Sequence, residues 1–205
     1  MSTKLYAGVA AAVLVAMIGG TAVWTTVAGS GHNCDGSTSI ATGAASIGGP
    51  FELVNGAGQT VTDADVISEP SLVYFGYTFC PDICPFDVAR NVIAVDILKE
   101  QGVEVTPVFI TIDPQRDTPE VIASYEADMH PDMIGLTGSD EQIRDAAAAY
   151  RAFYSRGDGE GDFYLMNHST FTYLMLPETG FATFFRRDLT PEAMAEQTAC
   201  HIAAA

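Results

Sequence analysis

The chain has 205 residues, which is the length of one ordinary domain with an additional segment. Its 26 acidic and 9 basic residues give a formal net charge of −17 at pH 7. This charge argues against a nucleic-acid-binding function, because phosphate backbones are bound by basic surfaces. It suits a domain that is not attracted to anionic lipid.

The first segment is strongly apolar, and residues 5–27 contain no charged side chain. A run of this length can cross a bilayer as a helix, which takes about 20 residues. We predict a transmembrane anchor at residues 5–27, preceded by a cytoplasmic stub at residues 1–4. Lys4 favours this orientation. A cleaved signal peptide is the alternative, because residues 28–30 are similar to a small-residue cleavage site.

The following residues, 28–48, are rich in Gly, Ser, Thr and Ala and predict a flexible linker. A folded domain is predicted over residues 49–205. Its predicted strands are residues 51–54, 59–62, 71–77, 103–112, 134–137, 170–176 and 181–186. Its predicted helices are residues 86–101, 119–129, 139–154 and 190–202. The glycine-rich residues 156–162 predict a mobile loop. This alternation predicts an α/β fold, with a central mixed sheet flanked by helices.

Two cysteines stand where a buried strand passes into a helix. The apolar residues 72–77 lead into Cys80 and Cys84, and helical spacing begins after Pro85. The free amides and the positive dipole at a helix start stabilise thiolates there. A thiolate binds a soft ion such as Cu(I) or attacks a disulfide. We therefore predict Cys80 and Cys84 as metal ligands or as a redox-active pair; a plain disulfide or two inert thiols is the structural alternative.

Two thiolates leave a copper ion short of ligands, so a third ligand is sought among the four histidines. His168 lies just before the strand predicted at residues 170–176. In a thioredoxin-like layout, the loop before that strand faces the cysteine loop, so His168 is the predicted third ligand. The alternative is an ordinary hydrogen-bonded loop histidine. His130, between Met129 and Met133, is a weaker soft-ligand cluster.

Two further features have open interpretations. Cys34 and Cys200 either pair with each other in an oxidising compartment or remain free thiols. Residues 113–119, Asp-Pro-Gln-Arg-Asp-Thr-Pro, follow a strand at the sheet edge of the cysteine loop. Their carboxylates either tune the site or dock a partner, or the segment only caps the next helix through Asp117 or Thr118.

Three segments, in this order, resemble the signature motifs of the Sco/SenC family of copper-binding assembly factors for respiratory oxidases. These segments are residues 74–85, residues 109–119, and His168-Ser169 before the strand at residues 171–175. The likeness covers residues 48–198. The resemblance implies a thioredoxin-like fold in which Cys80, Cys84 and His168 bind Cu(I) or Cu(II). In one departure, the family usually has aspartate before the histidine, and this chain has Asn167.

The resemblance also implies a function, namely a metallochaperone that helps to assemble the binuclear copper centre of cytochrome c oxidase. The expected partners are the copper-bearing oxidase subunit, another copper chaperone as donor, and the membrane through the N-terminal helix. The expected location is the cell inner membrane, single-pass, with the C-terminal domain in the periplasm. The alternative is a thiol–disulfide oxidoreductase that uses Cys80 and Cys84 to reduce that centre's cysteines or another exported protein. Only the metallochaperone requires His168. A peroxidase is a weaker alternative, because no threonine-containing peroxidatic motif is found.

Overall fold

A computed structural model describes Cys34 and residues 47–161 and 163–205. The helices and strands given below lie in one compact unit that spans residues 35–203. The predicted stub, the predicted anchor and most of the predicted linker lie outside the described residues. Within the described part of the chain, no helix is both long enough and apolar enough to cross a bilayer.

Most of the described strands form one mixed sheet. The strands are β1 (Glu52–Asn55), β2 (Thr60–Thr62), β3 (Ser71–Gly76), β4 (Thr106–Thr111), β5 (Ile134–Thr137), β6 (Tyr154–Glu160), β7 (Phe163–His168), β8 (Thr172–Leu176) and β9 (Gly180–Phe185). Seven of these described strands pair in the order β2-β1-β5-β4-β3-β8-β9. The β3–β4 and β4–β5 pairs are parallel, and the other neighbours are antiparallel. β6 and β7 pair with each other in a separate ribbon.

Helices cover both faces of this sheet. They are α1 (Asp63–Val66), α2 (Ile83–Glu100), α3 (Pro119–Met129), α4 (Asp140–Ala149) and α5 (Pro191–Ala203). Side chains of the fully buried β3 alternate between the two faces. On one face, the Tyr74 hydroxyl donates a hydrogen bond to Asp87 of α2. On the other, Phe75 packs on Tyr150 at the end of α4, with ring centroids 5.3 Å apart. The predicted central mixed sheet flanked by helices is therefore confirmed.

One edge of the sheet collects three loops. The carboxyl ends of the parallel strands β3 and β4 lie at the same edge, so the cysteine loop and the segment after Thr111 are neighbours. β8 runs antiparallel to β3, with Thr172 opposite Tyr74, so β8 begins at that edge. β7 ends at His168, four residues before β8 begins. The fold thus brings His168 to the end of the sheet that carries both thiols.

Several element ends agree with their local signals. α3 begins with Thr118 as N-cap, whose side chain accepts from the amide of Val121. Ser139 and Gln142 form a capping box at the start of α4. Gly102 follows α2 in the left-handed region at φ 78°. The amide of the residue after Gly102 donates to Leu98 O at 3.0 Å, which closes the helix end as predicted.

Three predicted boundaries are wrong by three residues or more, and one short helix was missed. α2 begins at Ile83 rather than residue 86, and β4 begins at Thr106 rather than residue 103. α4 ends at Ala149 rather than residue 154, because Arg151 takes a left-handed conformation at φ 54° and stops the helix without a glycine. The four-residue α1 was not predicted at all.

A further correction concerns residues 156–160, which are the first part of the glycine-rich segment predicted as a mobile loop at 156–162. They belong not to a mobile loop but to the β6–β7 ribbon, within which Tyr154 pairs with His168 and Arg156 pairs with Met166. The register shifts between Arg156 and Gly159, which indicates a β-bulge. The bulge and the glycines suit a twisted ribbon, and they disguise the alternating pattern of a strand.

Candidate metal centre

The sulfur atoms of Cys80 and Cys84 and a ring nitrogen of His168 converge at the sheet edge. These three ligand atoms lie within 4.8 Å of one another. The Cys84 Sγ atom is 3.3 Å from His168 Nε2. Both thiols are free in the structure. The three residues that the sequence singled out are therefore brought together, and their donor set is one that copper and zinc accept.

The sulfur of Cys80 occupies the start of α2, where the helix has unpaired amides. The Cys84 amide donates to Cys80 Sγ at 3.3 Å, and the N-cap residue Asp82 makes no side-chain capping bond. Partial burial raises the pKa of Cys80. Hydrogen bonds from the Cys84 thiol and from the backbone of residues 82–84 outweigh burial, so the pKa of Cys80 lies below its ordinary value. Cys80 is thus the more readily ionised and the more accessible of the two sulfurs.

Cys84 lies one helical turn further and is fully buried. Burial is the largest cause that raises the pKa of Cys84, and the hydrogen bond from this thiol to the Cys80 sulfur raises it further. Its sulfur lies close to Gly76, where an added Cβ would be 3.4 Å from Sγ and 2.9 Å from the Tyr74 ring. Glycine at residue 76 therefore leaves room for this sulfur beneath the end of β3. The raised pKa favours the protonated thiol at Cys84 in the metal-free protein.

His168 presents its unprotonated nitrogen to the sulfurs. Its Nδ1 atom is 2.8 Å from the backbone carbonyl of Ser169, which can only accept a hydrogen bond. The proton therefore lies on Nδ1, and the lone pair of Nε2 points to Cys84. The rings of Tyr74 and Tyr77 pack edge-on against the imidazole, with centroids 6.1 and 6.0 Å away. Burial lowers the pKa of His168, so the ring is neutral and ready to ligate at pH 7.

The residue before His168 faces away from the site. Along β7, exposed and covered side chains alternate, and Asn167 is exposed whereas His168 is half-buried. The departure from the family pattern at Asn167 therefore changes the outer face of the ribbon and does not touch the ligand atoms.

Among the described residues, no other group of His, Cys, Asp and Glu is placed to hold a metal ion. The Nδ1 atom of His130 accepts from the amide of Asp132 at 3.1 Å, and its Nε2 is 3.2 Å from Asp96 Oδ1. Both ring nitrogens of His130 are therefore engaged, which leaves the predicted methionine–histidine cluster without a free imidazole.

Cys34 and Cys200 are both disulfide-bonded, so the free-thiol interpretation of these two residues is wrong.

Two groups beside the site were not identified from the sequence as participants. One is Asp87, a buried carboxylate that accepts from the Tyr74 hydroxyl at 3.1 Å and lies 3.7 Å from Arg90 Nη1. The other is Arg116, which lies over the ring of Tyr164. The signal available in the sequence for Asp87 was a charged residue near the start of a helix with an apolar face. A charge that becomes buried at such a position needs an oppositely charged or hydrogen-bonding partner.

Comparison with known proteins shows the family to which the chain belongs. The SCO1/SenC family model matches residues 40–203. The chain belongs to the SCO1/SenC family. It is 49% identical over 206 residues to protein SenC of Rhodobacter capsulatus, which covers 98% of this chain and 92% of that protein. The resemblance inferred from the three motifs is thereby confirmed.

Solved structures of Sco proteins share the fold. Arabidopsis thaliana ScoI with copper bound is 40% identical, with a TM-score of 0.74, covering 77% of this chain and 99% of that one. Bradyrhizobium japonicum ScoI with copper bound is 32% identical, with a TM-score of 0.68, covering 75% of this chain and 98% of that one. The predicted thioredoxin-like fold of this Sco chain is confirmed by these matches.

Proposed function

We propose that this chain is a copper metallochaperone whose ion is held by Cys80, Cys84 and His168. The observation that carries the proposal is the convergence of two free thiols and one imidazole nitrogen within 4.8 Å. Thiolate sulfur suits Cu(I), and imidazole suits both copper oxidation states. Family members of known structure carry copper. A site that opens to solvent through Cys80, which is partly exposed, allows the ion to be received and passed on.

Copper titration of the reduced protein tests this ligand set. Replacement His168→Ala removes the single nitrogen ligand, so the affinity for copper should fall by more than the roughly 10–100-fold typical of changes around a ligand. The sulfur-to-copper absorption band should shift as well. His201→Ala is the matched control, because it removes another half-buried imidazole from the same domain. Equal affinity and equal spectra for wild type and His168→Ala would falsify the ligand assignment.

We propose the binuclear copper centre of cytochrome c oxidase as the destination of the ion, received first from another copper chaperone. The support is that the chain belongs to the Sco family, because resemblance to that family implies this role. The test mixes the copper-loaded protein with the metal-free copper-binding domain of the oxidase subunit. Transfer should restore that domain's characteristic absorption, whereas retention of all copper by this chain would contradict the proposal.

We further propose that residues 5–27 anchor the chain in the inner membrane, with the folded domain in the periplasm. The support is the uncharged run of these residues and the disulfide-bonded state of Cys34 and Cys200, since disulfides persist in oxidising compartments. Protease added to intact spheroplasts should remove the domain from a full-length protein that fractionates with membranes. A protected domain would contradict this orientation.

A second function is favoured by the different surroundings of the two thiols, because Cys80 is half-buried and accepts a hydrogen bond from the Cys84 amide whereas Cys84 is fully buried. In a thiol–disulfide oxidoreductase, the Cys80 thiolate would attack a partner disulfide, forming a mixed disulfide and releasing one partner thiolate. Cys84 would then lose its proton and attack Cys80, which releases the second partner sulfur and leaves a Cys80–Cys84 disulfide. The partner gains two electrons and this chain loses them. Without copper, His168→Ala should retain this activity, and Cys84→Ser should trap the mixed disulfide.

A further inference from the structure

The segment after β4, residues 113–118, lies between the loop that carries the thiols and the ribbon that carries the imidazole. Among the described strands, β6 and β7 pair only with each other, so no ladder of the main sheet fixes the position of His168. The separation of Cys84 from His168 is 84 residues along the chain. Side-chain contacts must therefore hold the ribbon in register with the cysteine loop.

On the ribbon side, the contacts are made with Tyr164. Its hydroxyl donates to Asp113 Oδ1 at 2.7 Å, and its backbone carbonyl accepts from Arg116 Nη1 at 2.9 Å. The guanidinium carbon of Arg116 lies 3.7 Å from the centroid of the Tyr164 ring, and Arg156 lies at 3.7 Å from the same centroid. Arg116 also donates from Nε to Asp113 Oδ2 at 2.5 Å. Three different kinds of contact thus converge on one tyrosine.

On the cysteine side, residues 113–118 contact the two residues that precede Cys80. Arg116 lies 4.7 Å from the ring centroid of Phe79. The fully buried Asp117 accepts from the Thr78 amide at 3.0 Å and from the Thr78 hydroxyl at 2.5 Å. Cation–π contacts and charge-assisted hydrogen bonds are strong where water is excluded. One short segment is therefore bonded to both halves of the site.

We propose that Arg116 is a positioning residue for copper that acts mainly on His168, because it makes two contacts with the buried Tyr164 and one with the half-exposed Phe79. This inference rests on the proposed function. Tyr164, Met166 and His168 lie on the covered side of β7, so a shift of Tyr164 is passed along the strand to the imidazole. The planar guanidinium is required, because only a fork can hold Asp113 and the Tyr164 carbonyl while it stacks on the ring. Of the two interpretations that the sequence left open for residues 113–119, this proposal favours tuning of the site over a simple helix entry.

A double-mutant cycle tests this route. Arg116→Gln should lower the copper affinity of the wild-type protein by about 10–100-fold, the range for residues that orient a ligand. In the His168→Ala background, Arg116→Gln should have a much smaller effect, because the residue through which it mainly acts is gone. Arg116→Lys should give an intermediate loss. An equal loss in both backgrounds would overturn the proposal, since it would show that Arg116 acts on the whole site.

Hydrogen exchange of the metal-free protein provides a second readout. Arg116→Gln should increase amide exchange along residues 164–168 and leave β3 and β4 unchanged. Arg144→Gln, at an exposed arginine of α4, is the matched control and should change neither region. Unchanged exchange at residues 164–168 would overturn the proposal that Arg116 holds the ribbon, even if copper binds. If wild type and His168→Ala bind copper equally, the ligand set is wrong, and hydrogen exchange still decides whether Arg116 holds the ribbon.

Discussion

The two cysteines of the site differ in acidity because the helix start acts on one and burial on the other. Cys80 receives the hydrogen bonds that the first amides of α2 would otherwise lack, and these lower the pKa of its thiol below the ordinary value in spite of partial burial. Cys84 lies inside the helix, and burial raises the pKa of its thiol. The pair therefore consists of a half-buried sulfur with a lowered pKa and a fully buried sulfur with a raised pKa.

Alkylation of the reduced, metal-free protein checks this asymmetry. A lowered pKa means that the thiolate persists to lower pH, so the rate at Cys80 should reach its half-maximum at a lower pH than an ordinary thiol does. Cys84 should stay unmodified throughout the neutral range. Mass spectrometry of peptides after iodoacetamide treatment separates the two sites. Faster labelling of Cys84, or a Cys80 profile at the ordinary thiol pKa, would contradict the assignment.

A buried polar network joins β3, α2 and the start of β8 next to the site. The Asp87 carboxylate accepts from the Tyr74 hydroxyl and lies 3.7 Å from Arg90. Arg90 in turn donates to the Thr172 hydroxyl at 3.1 Å and to the backbone carbonyl of Arg186 at 3.1 Å. Burial raises the pKa of Asp87, and the charge of Arg90 opposes that rise. The network fixes α2 against the start of β8, which is the strand after His168.

Replacement Tyr74→Phe should destabilise the protein, because it removes the donor to a buried carboxylate. We expect the free energy of unfolding to fall by about 1–3 kcal/mol, measured by urea denaturation of the metal-free protein. Tyr150→Phe is the matched control, because that hydroxyl is equally buried and has no hydrogen-bond partner in the described part of the chain. It should be neutral or slightly stabilising. Similar losses for the two variants would show that the Tyr74–Asp87 bond contributes nothing specific.

At the scale of elements, the β6–β7 ribbon is the part of the domain that carries His168 without being part of the main sheet. The ribbon exposes Phe163, whose accessible fraction is 80%, and turns Tyr164 inward. Its bend depends on Gly159, which has φ 148°. A Cβ at Gly159 would collide with the Phe163 carbonyl oxygen and with the backbone of Tyr164. The shape of the ribbon is therefore fixed by a position that accepts only glycine.

Gly159→Ala should displace the ribbon while the main sheet stays folded. We expect weaker copper binding, by about 10–100-fold if the displacement reaches His168, with a small change in thermal unfolding. Gly161→Ala is the matched control, because Gly161 has φ 56° in the same ribbon and no atom of the described residues within 4 Å of an added Cβ. The same copper affinity in the two alanine variants would show that the collision at residue 159 does not act on the site.

Local signals predicted those elements whose ends are set by local chemistry. Thr118 before Pro119 and the Ser139 capping box gave the starts of α3 and α4, and Gly102 gave the end of α2. The strand β7 was missed because both of its faces carry apolar side chains, so burial and exposure alternate without an alternation of polarity. The strand β6 was missed because its glycines and its bulge interrupt the pattern. The start of α2 was placed too late because its cap is the Cys80 sulfur, which is not a usual capping group.

At the scale of the whole molecule, the site exists only because the sheet brings distant segments together. His168 was predicted as the partner of the thiols from the layout of the fold and from the family resemblance, and the structure places it 3.3 Å from Cys84 Sγ. Arg116 was not predicted to hold it, because a contact with Tyr164 depends on a ribbon that the sequence presented as a loop. Pairwise contacts between loops thus remain hidden until the topology is known.

X-ray absorption at the copper edge tests the three-residue centre most directly. Loaded with one equivalent of Cu(I), the wild-type protein should show a first shell of two sulfur atoms and one imidazole nitrogen. The nitrogen scattering should disappear in His168→Ala and persist in His201→Ala, while both sulfurs remain. A first shell without sulfur, or an imidazole signal unchanged by His168→Ala, would contradict the copper centre described by Cys80, Cys84 and His168.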